Sequence, residues 1–341
     1  MYQTMHRQPA DLRRLLAAAG WAAADEAAAR VASARRLYIV GIGTSYHAAH
    51  VGEWLLKAAG RDARAVSSFD FAHYPDAYPV APEDAVIVMA HSGVKRYSTQ
   101  SLERAVAAGA TRISVGSLTA EHAGSQQILR TVEREKSAAF TASHLAAMTV
   151  LAQLAVALGA SALRADLERL PDLVAGALAR QAEVTPVAQE AANKRMYAVG
   201  GGPNAASATE AVIKVREAAQ GWIDGLPIEQ FLHGPIVAVN AGDLAVVVNA
   251  RDAACAERVR EIARVLDAIG ARLWLIGARV DDAPSAQVFE LAGLPEVLSP
   301  LLTVVPVQML AYEMAVVRGI HPDLFRRDDA KYAAAYGLLK L

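Results

Sequence analysis

Residues 35–56 read RRLYIVGIGTSYHAAHVGEWLL, which is an apolar strand, a glycine-rich turn carrying Thr44 and Ser45, and an amphipathic helix. Residues 194–219 read KRMYAVGGGPNAASATEAVIKVREAA and repeat the same order of strand, turn and helix. The two copies lie roughly 160 residues apart, a distance typical of a duplicated domain and too long for a solenoid repeat. The chain therefore predicts two related α/β units, with the functional site at the ends of their strands.

Short apolar strands alternate with helices on both sides of the repeat. The first half offers strands in YIVGIG, ARAVSS, AVIVMAH, RISVGS and QILRTVE, with helices near 45–59, 98–108 and 141–160. The second half offers strands in MYAVGG, LAVVVNAR and RLWLIGA, with helices near 206–219, 254–268 and 301–318. Nearly continuous apolar strands separated by helices favour parallel sheets covered on both faces, as in flavodoxin-like αβα sandwiches. The expected organisation is a helical segment at 1–34, domains at 35–165 and 191–318, a helical connector at 166–190 and a tail at 319–341.

The composition excludes several classes of protein. Across 341 residues the formal net charge is −1 and the pI is about 6.8, which argues against a general affinity for nucleic acid or anionic membranes. Cys255 is the single cysteine, so an internal disulfide is excluded and a structural thiol in a reducing compartment is expected. Neither an apolar run of about 18–20 residues nor a signal peptide is evident, which favours a cytoplasmic protein without a membrane span.

Two turns in the first half are suited to an anion. Gly43, Thr44 and Ser45 follow the first strand and open a helix, where free N–H groups and the helix dipole favour a phosphate. The segment after AVIVM presents His91, Ser92 and Gly93, then Lys95 or Ser98 at a helix start. Ser and Thr are also ordinary helix caps. The carboxyl ends of parallel strands bind ligands, so the two turns together predict a phosphate site.

The second half carries acid and base groups on one helix face. Glu210, Lys214 and Glu217 stand at i, i+4 and i+7, and His233 follows in the segment FLHGP. A solvent-exposed ladder of ion pairs is the simpler interpretation, and a loop histidine is usually structural. The apolar residues around the three charges leave this helix little surface for solvent. Lys331 lies in RRDDAKYA near the end of the chain and is the remaining amine of interest.

These motifs resemble those of the two-domain sugar isomerase (SIS) family, in particular the isomerase half of glucosamine-6-phosphate synthase. The Gly-Thr-Ser turn matches residues 43–45, while Ser-Gln-Ser-Gly-Glu-Thr is replaced by Ala-His-Ser-Gly-Val-Lys at 90–95. Glu135 and Thr141 match a Glu and a Thr that precede a long helix. The Glu-x-x-x-Lys-x-x-Glu helix, the His-Gly-Pro segment and a C-terminal lysine match Glu210 to Glu217, residues 233–235 and Lys331. The resemblance covers about residues 35–341 and implies two tandem SIS domains.

The resemblance also implies roles for these residues. Ser45 and Ser92 would hold a sugar phosphate, with the rest of the two turns, Glu135 and Thr141 around the substrate. Glu217 would move a proton between C1 and C2, with Lys214 tuning the charge nearby. His233 would assist ring opening from the partner subunit of a homodimer, and Lys331 would form a Schiff base with an open-chain ketose. No metal or organic cofactor is implied.

The changes at 90–95 leave the sugar, and even the identity of its anion, open. An N-terminal nucleophilic cysteine of the glutaminase kind is missing, so ammonia from glutamine is not expected to be used. The resulting prediction is an isomerase that interconverts aldose and ketose forms of sugar or amino-sugar phosphates. A deaminase or deglycase acting through an imine is the alternative, and a non-catalytic sugar-phosphate-binding regulator is the second alternative.

Overall fold

The computed structural model describes residues 1–93 and 95–339. Up to the middle of the chain the elements are α1 Tyr2–Leu15, α2 Ala18–Val31, β1 Leu37–Gly41, α3 Thr44–Ala58, β2 Ala63–Ser67, α4 Ser68–His73, β3 Ala85–Met89, α5 Arg96–Ala107, β4 Thr111–Gly116, β5 Gln127–Arg130 and α6 Ala142–Ala157. They continue with α7 Arg164–Leu178, α8 Thr185–Ala191, β6 Met196–Gly200, α9 Ala205–Ala219, β7 Ile223–Pro227, α10 Ile228–Leu232, β8 Leu244–Asn249, α11 Ala256–Ile269, β9 Arg272–Gly277, β10 Gln287–Glu290, α12 Pro300–Val317 and α13 Ala330–Tyr336.

The chain divides into two compact units. The first sheet unit holds β1–β5 and comprises Arg7–Lys136, Phe140–Pro171 and the residues from Asp329 onward. The second sheet unit holds β6–β10 and comprises Met1–His6, Ser137–Ala139 and Asp172–Asp328. The tail helix α13 thus belongs to the first sheet unit, although it follows the second one in sequence.

Each unit is built on a parallel five-stranded sheet. The strand orders are β2-β1-β3-β4-β5 and β10-β9-β8-β6-β7, which are the same arrangement when each set is counted from its own first strand. The register also repeats, because Leu37 pairs with Ala63 and Ala85 while Met196 pairs with Ile223 and Leu244. This is the flavodoxin-like order, and it places a topological switch point beside β1 and β3, and again beside β6 and β8. The predicted α/β class with parallel sheets flanked by helices is confirmed.

The strands are apolar because helices cover both faces of each sheet. Every residue of β1, β3, β6 and β8 is buried, as expected for central parallel strands. One core cluster of the first sheet unit packs Tyr38, Val40 and Phe71 with residues of β3 and α5, and its counterpart in the second packs Tyr197, Val199 and Phe231 with residues of β8 and α11. The Tyr38 hydroxyl donates to the Pro79 carbonyl at 3.0 Å, and the Tyr197 hydroxyl donates to the Ala238 carbonyl at 3.1 Å.

Two edge strands and two short helices were not anticipated from the sequence. β7 reads IDGLP and β10 reads QVFE, and both are only partly buried at the sheet edges. Asp, Gly and Pro are depleted in strands, so β7 lacks the composition by which strands are recognised. The short helices α4 and α10 each follow the second strand of their sheet and begin the loop that returns to the third.

Helix α12 is apolar along most of its length and packs as a core helix. The segment Glu296–Val317 has the length and composition of a membrane span, with a mean hydropathy of 1.5, so the expectation that no such run exists is wrong for this segment. Of the 18-residue window of that segment to which this hydropathy applies, 78% is buried inside the protein. Its packing against α8 and α9 accounts for its apolar character.

Candidate functional site

The first anion turn lies between β1 and α3 and depends on two glycines. Gly43, at φ 57°, precedes the first residue of α3, and no side chain caps this helix start. A Cβ at Gly41 would lie 2.5 Å from the Ser45 carbonyl oxygen, so the turn can close only with glycine there. Thr44 and Ser45 therefore stand in the first helical turn, where the Ser45 amide donates to the Ile42 carbonyl and the Tyr46 and His47 amides donate to the Gly43 carbonyl.

The second anion turn follows β3. The Gly93 amide donates to the Ala90 carbonyl at 3.1 Å, and Gly93 adopts φ 77° with no room for a Cβ, which would lie 2.4 Å from the Glu121 carbonyl oxygen. Ser92 is half-buried, whereas Lys95 is exposed and precedes α5 without capping it. Val94 lies outside the described residues.

A small cavity lies at the carboxyl edge of this sheet. Its volume is about 20 Å³, enough for about one water molecule or one oxygen of a ligand group. Its polar lining comprises Thr44, Ser45, His91, Thr131, Ser143 and His144. The predicted residues Ser45 and His91 are therefore brought together, whereas Ser92, Gly93 and Lys95 are not among those that line it.

His91 is a desolvated imidazole in this cavity. Its Nε2 atom is buried and has no hydrogen-bond partner within the described part of the chain. Its ring meets the Phe140 ring edge-on, with centroids 5.3 Å apart. Burial lowers the pKa of His91, and the charges of Arg134 and Arg7 act in the same direction, while Glu135 opposes them. The imidazole is therefore neutral at neutral pH.

Glu135 and Thr141 make a helix cap. The Glu135 carboxylate accepts hydrogen bonds from the Thr141 amide at 3.1 and 3.2 Å and from the Ser143 amide at 2.7 Å, and also from both hydroxyl groups. These donors stand at the start of α6, where a carboxylate satisfies amides that lack an intrahelical partner. The contacts explain both residues without a ligand, and their predicted role at the substrate stays a prediction.

The sequence-based site omitted Ser143 and His144, which line the cavity from the first turn of α6. Both are buried. The signal that could have revealed them is the pair of polar residues at the start of a helix whose remaining residues are almost all apolar.

In the second sheet unit, α9 buries an ammonium group between two carboxylates. Lys214 Nζ lies 2.8 Å from Glu217 Oε2 and 3.5 Å from Glu210 Oε1. The side chains of Lys214 and Glu210 are fully buried, whereas that of Glu217 is 29% exposed. The solvent-exposed ladder is therefore excluded for Glu210 and Lys214. Buried charges are costly unless paired, and such clusters concentrate at functional sites.

His233 lies at the end of α10, on an exposed loop. Its side chain is 75% exposed, and its Nε2 lies 3.4 Å from Glu229 Oε2, which also pairs with Arg258. The next residue, Gly234, has φ 132°, a conformation that side chains rarely adopt. The nearby Val237 is 88% exposed. The loop thus presents an imidazole and an apolar side chain to the surroundings.

The first sheet unit carries a histidine at the equivalent place. Residues 71–75 read FAHYP and residues 231–235 read FLHGP, and each segment ends the short helix that follows the second strand of its sheet. His73, however, stacks on Phe69 with ring centroids 4.7 Å apart and meets Tyr97 edge-on at 5.2 Å. The two histidines share a position in the fold but have different surroundings.

Two further sequence candidates are not among the residues of these clusters. Lys331 is exposed in the first turn of α13, where its amide donates to the Asp329 carboxylate at 2.9 Å. Cys255 is half-buried and packs against Gly201, where a Cβ would come within 2.4 Å of its Sγ. Burial raises the pKa of the Cys255 thiol, which agrees with a structural thiol.

Comparison with known proteins relates the chain to sugar-phosphate enzymes. Residues 30–157 match the model of the SIS domain family. The chain is 28% identical over 300 residues to glutamine–fructose-6-phosphate aminotransferase (isomerizing) of Pyrococcus horikoshii. The aligned region covers 84% of this chain and 50% of that protein. The chain is 30% identical over 299 residues to the enzyme of that name from Aquifex aeolicus, covering 85% and 50%. The chain therefore spans about half the length of these relatives.

Solved structures share the fold over nearly the whole chain. The C-terminal domain of glucosamine-fructose-6-phosphate aminotransferase from Francisella tularensis superposes with a TM-score of 0.85 at 18% identity, covering 95% of this chain and 97% of that one. Tagatose-6-phosphate ketose/aldose isomerase from Escherichia coli gives 0.79 at 19% identity, covering 94% of both. Glucosamine-6-phosphate deaminase from Thermotoga maritima gives 0.76 at 16% identity, covering 95% and 96%.

Proposed function

We propose that this chain, which carries a SIS domain at residues 30–157 and is homologous over most of its length to glutamine–fructose-6-phosphate aminotransferases, is an enzyme that interconverts aldose and ketose forms of a sugar or amino-sugar phosphate. The observation that carries the proposal is the buried Lys214, held between Glu210 and a Glu217 that stays partly open. A second SIS domain, formed by the second sheet unit, is part of the proposal. The repeated strand order and register support it.

Glu217 is the proposed base. Its carboxylate removes the proton from C2 of the open-chain aldose while the carbonyl oxygen at C1 gains a proton, giving an enediol. Return of the proton to C1 and loss of the proton from the C2 hydroxyl then give the ketose. Proton transfer by a positioned carboxylate contributes about 10²–10⁴-fold to such a rate. Lys214 fixes this carboxylate through its 2.8 Å contact.

The first sheet unit supplies the proposed anion site. Ser45 and Thr44 stand at the uncapped start of α3 and line the cavity together with His91. Gly43 and Gly93 allow the two turns to close. Ser92 and Lys95 belong to the second turn, where we propose that they contact the outer part of the ligand.

His233 is proposed to assist ring opening in the site of the partner subunit of a homodimer. Its 75% exposure beside the 88% exposed Val237 supports a loop that becomes covered on assembly. If so, Glu217→Gln and His233→Ala are each nearly inactive, yet refolding equal amounts together restores roughly a quarter of the activity, because half of randomly paired dimers gain one intact site of two.

The matched control for this experiment is His73→Ala, which removes the equivalent imidazole of the first sheet unit. It should retain activity when assayed alone. Introduced as a second substitution into Glu217→Gln or His233→Ala, it should leave the result of the mixing experiment unchanged. Recovery no greater than the residual activity of the two parents would refute the arrangement in trans.

The test of the function itself is solvent exchange. Fructose 6-phosphate, tagatose 6-phosphate and glucosamine 6-phosphate are incubated with the enzyme in deuterated water, and incorporation of deuterium at C1 or C2 is followed by NMR. An isomerase incorporates deuterium into its substrate. Binding of a sugar phosphate without incorporation would instead identify a regulator.

A deaminase or deglycase is the second candidate, favoured by Lys331. This amine is exposed at the start of α13, which its Asp329 cap orders, and it is available to form an imine with an open-chain ketose. Ammonia release from glucosamine 6-phosphate, together with trapping of a Lys331 adduct by borohydride, would favour this candidate. Deuterium exchange that survives Lys331→Ala would favour the simple isomerase.

A further inference from the structure

The cavity of the first sheet unit lacks a fixed positive side chain. Thr44 and Ser45 line it from the start of α3, and His91 and His144 supply imidazoles. Among the described residues, no Lys or Arg lines it. The start of α3 provides only about half a positive charge. If an oxygen of the substrate's anion enters this cavity, as the proposed function requires, most of the countercharge beside it must come from another group of the lining.

Helix α6, which begins at the cavity, cannot supply this positive charge. Glu135 accepts hydrogen bonds from the Thr141 and Ser143 amides, so the start of α6 already holds a carboxylate. That carboxylate offsets the positive end of the α6 dipole. It also places a negative charge behind the cavity, which opposes a second anion. The hydroxyl groups of Thr141 and Ser143 also donate to Glu135, so these hydrogen atoms are not available to a ligand.

His91 is the group able to change its charge at this point. Its buried Nε2 has no hydrogen-bond partner within residues 1–93 and 95–339, although the ring lines the cavity. The charged and titratable groups around it are Glu135, Arg134, Arg7 on α1 and His144 on α6. A buried polar nitrogen without a partner is costly, so an N–H at this position would be stabilised by donating to a ligand oxygen.

We infer that the anion of the substrate binds together with a proton, which solvent delivers to His91. The proton forms the second N–H bond of the ring, and the resulting imidazolium donates a charge-assisted hydrogen bond to the anion. In the empty site His91 is neutral, because its pKa is lowered by burial. The bound anion restores the charged form, and the site is charged only while it is occupied.

The sign of the resulting pH dependence follows from linkage. Because only the protonated form pairs with the anion, affinity is greatest at low pH and is lost as the pH rises through the pKa of the complex. Between the pKa values of the free and bound states the dissociation constant should rise by up to roughly tenfold per pH unit. A neutral His91 that merely donated an N–H would show no such dependence.

The experiment uses inorganic sulfate, because sulfate stays a dianion across this range, whereas a phosphate ester titrates near pH 6. Calorimetric titrations in buffers of different ionisation enthalpy, between pH 6 and 8, count the protons taken up. The wild type should take up close to one proton per sulfate at the pH where binding changes most. His91→Gln, which keeps a polar side chain but cannot titrate, should take up almost none.

His122→Gln is the matched control. This histidine is also buried in the first sheet unit and its pKa is also lowered by burial, but it lines a different cavity. It should bind sulfate with the proton uptake of the wild type. Sulfate binding by the wild type without proton uptake would overturn the inference, as would uptake that persists in His91→Gln and vanishes in His144→Gln.

The outcome also separates this inference from the proposed function on which it rests. Fructose 6-phosphate and glucosamine 6-phosphate are assayed with the same proteins. If a sugar phosphate undergoes solvent exchange while sulfate binds without proton uptake, the inference fails and the function stands. If neither sulfate nor any sugar phosphate binds, both fail.

Discussion

Glu217→Gln offers the sharpest test of the catalytic cluster, because the substitution keeps shape and hydrogen bonding but removes the ability to accept a proton. Glu217 Oε2 lies 2.8 Å from Lys214 Nζ, and Glu217 is the member of the cluster that is partly open, at 29% exposure. Loss of a carboxylate that moves the substrate proton should lower the exchange rate by about 10²–10⁴-fold, while sugar-phosphate affinity is retained.

The same contact sets the expected loss of stability. Lys214 is fully buried, so the substitution replaces an ion pair with a weaker hydrogen bond from the ammonium group to a neutral amide oxygen. The difference between bonds of these kinds is about 1–2 kcal/mol. In a unit of this size that corresponds to a fall in melting temperature of about 2–8 °C. Lys214 keeps Glu210 at 3.5 Å, and the protein should still fold.

Glu210→Gln is the control for this prediction, because it makes the same chemical change on the same helix to the other carboxylate beside Lys214. Glu210 is fully buried, so it should not reach a ligand, and the variant should keep most of its exchange activity. The assay is deuterium incorporation at saturating substrate, with melting measured by calorimetry. Wild-type exchange in Glu217→Gln, or its loss only in Glu210→Gln, would refute the assignment of the base.

Two more predictions concern the first sheet unit. Ser45→Ala should weaken binding of a phosphorylated sugar by about 1.5–3 kcal/mol, as expected for a hydrogen bond to a charged group. Binding of the unphosphorylated analogue should not change. Ser92→Ala should have the smaller effect, since Ser92 does not line the cavity. Equal weakening of both sugars in titrations would refute this role. Glu135→Ala should lower the free energy of unfolding by roughly 2–4 kcal/mol, because the Thr141 and Ser143 amides lose their acceptor; a stability unchanged in denaturant titrations would contradict the cap.

The central strands and long helices could be predicted because their burial is uniform. β1, β3 and β6 lack charged and amide side chains and β8 carries only Asn249 at its end, so their composition alone reveals them. β7 is partly exposed and contains Gly225, where a Cβ would lie 2.5 Å from the Ala208 carbonyl oxygen. Close packing of a helix against the strand requires that glycine. Because glycine is rare in strands, the same residue lowers the strand propensity of the segment and prevents its prediction from composition.

The candidate site could be predicted in part for a similar reason. Glu210, Lys214 and Glu217 were placed on one helix face, but the spacing alone could not decide between an exposed ladder and a buried cluster. The decision comes from the packing of α9 against elements such as α12 and β7, in which Glu210 and Lys214 are fully buried while Glu217 stays 29% exposed. Long-range packing of this kind has no local signal in the sequence.

The two histidine loops show most directly that surroundings determine what a residue can do. Both loops end a short helix after the second strand, both carry the pattern Phe-x-His-x-Pro, and both are tied to the sheet by a tyrosine hydroxyl. In the first sheet unit, Arg104 donates to the carbonyls of Phe71, Pro75 and Tyr78, and His73 is stacked among aromatic rings.

The second loop has a different anchor, formed by Arg258 and Glu229 on the surface, and His233 beyond it is left exposed. Both histidines are exposed, but His73 is held against two aromatic rings and has little freedom to reach a ligand, whereas His233 lies beside a carboxylate on a loop that we propose a partner subunit covers. The two histidines occupy the same position in the repeated strand order, and the packing of Phe69 and Tyr97 explains why only the second is proposed to act.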